Sequence, residues 1–216
     1  MRPIWFTRPK CFDDGQPFTT EQLGARVDAL ITARKPFIET ESYLGPDRRS
    51  PDRPSPERLR GGEQSVEVPN ALRAQVEDRP DLAPSPDAIE VARISLERIK
   101  ITNVARRICV IAKVLRKNRK DAAFMAAKAK PKLGAINKSL AVIRRALAVT
   151  EMDHMYPFCD YVEQVTEPML RSAPKLDAKS LALLEQTALA LRVAIDVDEE
   201  TANAAFGLSK EVAKIV

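Results

Sequence analysis

From residue 87 onward, apolar side chains recur with helical spacing. Ile94, Ile101, Ile108 and Leu115 come every seven residues, with Val104 and Ile111 at the intermediate positions. A stripe held over about three heptads packs against other helices, so this stretch predicts one long helix. Ser85-Pro86-Asp87 marks its start, with Asp87 as the expected N-cap, and it should end near Asn118. A second helix is expected from Asp121, interrupted near Pro131 and Gly134 and resuming through Ile136, Leu140, Ile143 and Leu147. A third block, Asp153 to Ser172, carries Met155, Phe158, Val162, Val165 and Met169. Pro157 suits its first turn, and Pro168 should bend or end it. Asp177 is the expected cap of a fourth helix, whose Leu181, Leu184, Ala188, Leu191 and Ile195 keep alternating three- and four-residue spacing. A last helix from Asp198 would carry Ala202, Ala205, Leu208 and Val212. Short connections favour antiparallel neighbours, so residues 87–216 predict an all-α, up-and-down bundle of about four to five helices.

The preceding residues read differently. Between 46 and 86 stand Pro46, Pro51, Pro54, Pro56, Pro69, Pro80, Pro84 and Pro86. Each removes a backbone donor and disfavours helix in the residue before it. Apolar side chains are sparse there, so little burial offsets the entropy of ordering, and the segment predicts an extended, disordered linker with at most a short helix around Asn70–Glu77. Residues 1–45 hold one helical pattern, about 19–33. Thr19 with Gln22 makes a capping box, and Phe18 can staple onto the first turn.

Composition agrees with helices packed on helices: aromatic residues make up 5% of the chain and there are 7 glycines. Cys11, Cys109 and Cys159 are far apart and form no CxxC pair, which indicates neither zinc spacing nor a disulfide framework. Cys109 and Cys159 sit in apolar helical surroundings that suit inert buried thiols. No apolar run approaches the roughly 18 residues that a membrane span needs. The amino terminus lacks the apolar core of a signal peptide. The expectation is a soluble, cytoplasmic protein.

Charge changes the picture. Residues 87–150 hold sixteen basic and four acidic side chains, whereas residues 151–216 hold six basic and twelve acidic. Arg106, Arg107, Lys113, Arg116, Lys117, Arg119, Lys120, Lys128, Lys130 and Lys132 form one block, opposed within it only by Asp121. Such a surface can track phosphates through counterion release. The acidic carboxy-terminal helices can instead fold onto it and cancel part of its field. Phe124 is the lone aromatic in the block, which speaks against single-strand binding.

One stretch resembles a known family. Gln16-Pro17-Phe18-Thr19-Thr20-Glu21-Gln22-Leu23, then Arg26, Val27, Leu30 and Ile31, is similar to the end of a bacterial CheY-like receiver domain, where a Lys-Pro pair closes the last strand and the last helix follows. Arg34-Lys35-Pro36-Phe37-Ile38 and Tyr43-Leu44-Gly45-Pro46-Asp47-Arg48-Arg49 resemble the tails of some alphaproteobacterial response regulators. The resemblance covers about a sixth of the chain and implies two-component signalling. It does not carry phosphotransfer with it. Gln16 stands where the family has its lysine and cannot neutralise an acyl phosphate, and the family's acidic pair and acceptor aspartate have no counterpart. The expectation is either a receiver remnant fused to a helical module or a start that lies upstream.

Signatures of catalysis are missing from the pattern: no Gly-rich phosphate loop, nucleophile elbow or metal-ligand cluster stands out. His154, the one histidine, is followed within three residues by Pro157 and reads as an ordinary helix-start residue. Glu185-Gln186 on an exposed helix face is the weak candidate for a receiver phosphatase. The sequence therefore predicts a non-enzymatic interaction module without cofactor or metal, whose partner is another protein. Arg48, Arg49, Arg106, Arg107, Lys113, Arg116, Lys117, Arg119 and Lys120 are the candidates for contacting it. The seam Ile94, Ile101, Val104, Ile108, Ile111 and Leu115 is the candidate for homodimerisation. Nucleic-acid binding through the basic face 106–132 is the alternative function, and membrane contact is not expected.

Overall fold

The structure is a computed structural model and describes residues 19–39, 43–47 and 65–196. The expected last helix from Asp198 and the Arg48-Arg49 pair lie outside the described residues. Two compact units divide the chain: residues 1–35 with 70–84, and residues 36–69 with 85–216.

The smaller unit is built on α1, Thr20–Thr32, and α2, Leu72–Val76. The Thr19 capping box forms as the sequence requires: the Gln22 amide donates to Thr19 Oγ1, and the Thr19 amide donates to Gln22 Oε1, each at 3.2 Å. No residue of α1 is buried, and Leu23 and Leu30 are exposed. The Asn70 side-chain amide donates to the Leu30 carbonyl at 2.8 Å, bringing together α1 and the segment that leads into α2. The α2 helix lies inside the Asn70–Glu77 stretch where a short helix was expected.

The larger unit opens with a small sheet. Strands β1 (Phe37–Glu39) and β2 (Leu44–Pro46) form an antiparallel hairpin, and β3 (Ser65–Val66) pairs antiparallel with the other side of β1. The order is β2-β1-β3. Tyr43 explains the glycine in the tail motif. Its hydroxyl donates to the Pro46 carbonyl at 2.7 Å, and a Cβ at position 45 would lie 2.7 Å from that same hydroxyl.

Four helices follow: α3 (Pro86–Lys117), α4 (Ala122–Leu147), α5 (Tyr156–Ser172) and α6 (Ala178–Val193). They pack in a ring in chain order, α3 on α4, α4 on α5, α5 on α6 and α6 back on α3. Side-chain register fixes the directions. Asn137 meets Thr166 while Arg144 meets Asp160 and Glu163, so α4 and α5 run antiparallel. Cys109 meets Ala188 while Arg116 meets Glu185, so α3 and α6 do too. The predicted all-α, antiparallel bundle is the fold.

Caps bound three of these helices. Asp121 accepts from the Phe124 amide at 2.9 Å and Asp177 from the Ser180 amide at 2.8 Å, both at expected positions, and Asn118 closes α3. The start of α3 is a correction. Ser85, not Asp87, is its N-cap, accepting from the Ala88 amide at 3.1 Å. Pro86 then takes the first helical position, where its missing N–H costs nothing.

Neither interior proline ends its helix. The α4 helix runs through Pro131 and α5 through Pro168, both exposed. An interior proline costs about 3 kcal/mol. In α4, Leu133, Ile136, Leu140 and Ile143 are fully buried, and each such side chain contributes roughly 1.5–3 kcal/mol. Burial wins.

The core joins Ile101, Ile108 and Leu115 of α3 to these α4 residues, to Met155, Phe158 and Val162, and to Leu181, Leu184 and Leu191. Ala105, Ala112, Ala129 and Ala188, all fully buried, keep the helix axes close. On its other side, the first half of α3 buries Ala92 and Ile99, and the small sheet, with Ile38 buried, packs on that half of the helix.

Candidate functional site

The loops place charge at the two ends of the bundle. The α3–α4 turn carries Lys117, Arg119 and Lys120, with Lys113 and Arg116 one turn earlier on α3 and Lys128 and Lys130 further along α4. The antiparallel ring brings the α5–α6 turn to the same end, adding Arg171, Lys175 and Lys179. All ten are exposed. The two carboxylates in these turns, Asp121 and Asp177, are spent on helix caps. At the opposite end Glu151, Asp153 and Asp196 stand together with Arg145 and Arg192 of the last turns of α4 and α6, all exposed, so that end is mixed in charge.

Helix geometry makes the basic end. On the last turns of α3, Lys113, Arg116 and Lys117 are exposed, away from the face that buries Ile111, Ala112 and Leu115, and Lys120 follows in the turn. Arg116 is tied back by a hydrogen-bonded ion pair to Glu185 of α6. Among the described residues Lys113, Lys117, Arg119 and Lys120 form no ion pair. Further down the bundle, Arg144 of α4 bridges Asp160 at 2.7 Å and Glu163 at 2.5 Å, and the two carboxylates raise its pKa above the ordinary arginine value. The acidic helices thus neutralise Arg116 and Arg144 and leave the turn uncovered. Arg106 is half-buried and Arg107 exposed, both on the middle of α3 and away from the cluster.

Sequence reasoning singled out the α3 and α4 members and missed Arg171, Lys175 and Lys179. The signal was available in the caps. Asp121 and Asp177 each begin a helix after a short turn, and in an antiparallel bundle alternate turns share an end.

The seam residues face inward. Ile101, Ile108, Ile111 and Leu115 are buried, Val104 is packed against the core and Ile94 is half-buried. Pairing with a second copy through this seam would require opening the bundle.

Reactive groups elsewhere are engaged or shielded. The His154 Nε2 lies 3.3 Å from the Ala194 carbonyl, at the junction of a short 3-10 turn with α5. Glu185 holds Arg116, while its neighbour Gln186 is exposed. Cys109 donates to the Ala188 carbonyl at 3.0 Å, and burial raises its pKa. Burial pushes the Cys159 thiol up to about 12. Among the described residues no group of histidine, cysteine and acidic side chains is placed to hold a metal ion, and no helix is long and apolar enough to cross a membrane. Comparison of the chain with protein-family models, curated proteins and solved structures finds no match.

Proposed function

We propose that this chain is a non-catalytic interaction module of bacterial two-component, chemotaxis-type signalling, which meets an acidic protein surface through the basic end of its bundle. The observation that carries the reading is the cation cluster of Lys113, Lys117, Arg119 and Lys120, left without ion pairs among the described residues. A surface of one sign steers an oppositely charged partner and selects against like-charged ones. The signalling context comes from the receiver-like segment around α1 and its Gly45-Pro46-Asp47-Arg48-Arg49 tail.

Nucleic acid is the competing partner, since the same cations suit phosphates. Phe124, the one aromatic in the basic block, is packed against the core, so it offers no stacking platform there. A receiver phosphatase is the third reading; it would have to use Gln186 beside a Glu185 already bound to Arg116.

The test is recovery of partners from an alphaproteobacterial lysate, with and without nuclease, on the intact chain and on a Lys117→Glu, Arg119→Glu, Lys120→Glu variant. Sensor kinases or receiver proteins recovered from both lysates by the parent chain, and lost by the variant, support the proposal. Recovery that disappears with nuclease replaces it with the nucleic-acid reading. A Gln186→Ala chain that abolishes receiver dephosphorylation in the presence of the parent's partner would replace it with the phosphatase.

A further inference from the structure

A cleft of about 530 Å³ opens between β3 and the first half of α3. It ends about four helical turns before Lys113 and is separate from the basic end of the bundle. Strand β3 is an edge: it pairs with β1 on one side, and no described strand lies on the other. Successive residues of a strand turn their amide and carbonyl to opposite sides, so either Ser65 or Val66 presents both groups away from β1. Both residues line the cleft and no residue of β1 does, which places the cleft on that outer side. The α3 wall is apolar. Val91 is 64% exposed, more than any other large apolar residue described, and Ala88 stands one turn before it. Ala92 and Ile99, both buried, back this wall. Two turns beyond Val91 comes Arg98, exposed, and across the cleft stands Glu67. Neither forms an ion pair among the described residues.

We infer that this cleft binds an extended peptide segment of another protein, added as a strand to β3, with aliphatic side chains on Ala88 and Val91 and a carboxylate on Arg98. The spacing fits a strand. Ala88 and Arg98 are separated by about 15 Å along α3, and five extended residues advance about 13 Å. Alternate side chains of a strand share one face, so the first, third and fifth residues meet α3: two aliphatic, then one acidic. The unpaired edge supplies backbone hydrogen bonds for affinity, and the α3 wall selects the side chains. Charge narrows the choice further. Arg98 selects against a basic residue at its end, while Glu67 opposite selects against a segment acidic throughout.

The experiment selects phage-displayed random heptapeptides on the immobilised full chain and measures the enriched peptides by fluorescence anisotropy. Enriched sequences should alternate aliphatic residues and carry one acidic residue at one end of the pattern. Val91→Asp and Arg98→Glu should each weaken their binding by about tenfold. Selection repeated on the Arg98→Glu chain should replace the acidic residue with lysine or arginine. N-methylating alternate amides of a binding peptide should abolish binding in one register and be tolerated in the other, because only one set of amides faces β3. Val91 and Arg98 are exposed, and Cys109 and Cys159 staying unreactive shows that each variant is folded. The inference is overturned if no sequence is enriched on the full chain. It is equally overturned if folded variants bind as the parent does, or if both N-methylation registers are tolerated.

Discussion

The Thr166 hydroxyl of α5 donates to Oδ1 of Asn137 on α4 at 2.8 Å, at a position where Thr166 has no exposed surface. Together with the Arg144 bridge seven residues along α4, it pins the register of two helices whose remaining contact is apolar and would tolerate sliding. Removing the donor leaves a half-buried amide oxygen short of a partner. Thr166→Val should therefore cost about 1–2 kcal/mol in urea unfolding. Asn137→Ala made in the Thr166→Val chain should cost less than it does alone, with a coupling on the order of 1 kcal/mol. Strict additivity of the two would show that the bond contributes nothing.

Thr150 presents the opposite case. It is fully buried in the turn after α4, and its hydroxyl finds no hydrogen-bond partner. Thr150→Val keeps the shape and deletes the orphaned group, so the midpoint of unfolding should rise, by about 1 kcal/mol of stability. A loss of stability would reveal a partner for that hydroxyl in solution.

Asp177 caps α6 by accepting from the Ser180 amide and hydroxyl, and these bonds hold its carboxyl below the usual aspartate value. A carboxyl depressed in the folded state adds stability above its unfolded pKa and loses it as pH falls through the folded value. Asp177→Ala should cost about 1 kcal/mol at pH 7. That difference should shrink as the pH is lowered below the normal aspartate range. A penalty unchanged at low pH would show that the ionised form is not what caps the helix.

Cys109 and Cys159 should resist alkylation at pH 8 in the folded protein and react once it is unfolded. Burial raises both thiols, so each holds less thiolate at that pH than a free cysteine does. Mass spectrometry after brief iodoacetamide treatment reads this directly. Rapid labelling of Cys159 in native conditions would contradict the packing of α5.

What the sequence makes legible here is local. Asp121 and Asp177 are legible because an N-cap is a contact between a side chain and an amide three residues away, and Asn118 because its side chain reaches a carbonyl only four residues back. The core positions from Ile101 to Leu191 follow from periodicity, which needs no knowledge of the partner helix. Pro131 misleads because propensity is weighed before burial is known. The sheet is invisible for a different reason. Its strands are two or three residues long, and β1 finds β3 across more than twenty intervening positions. At the basic end, only the pairing of turns reveals that Arg171, Lys175 and Lys179 join Lys117 and Lys120, and that Arg116 alone among the α3 candidates is drawn to Glu185.

Cations gathered around one pair of turns, with both nearby carboxylates committed to helix caps, give that end of the bundle a field whose reach is set by the solvent. At about 0.01 M salt it extends about 30 Å, and at physiological ionic strength about 8 Å. Ionic strength is therefore the variable that tunes how far from the turns an acidic surface is first felt.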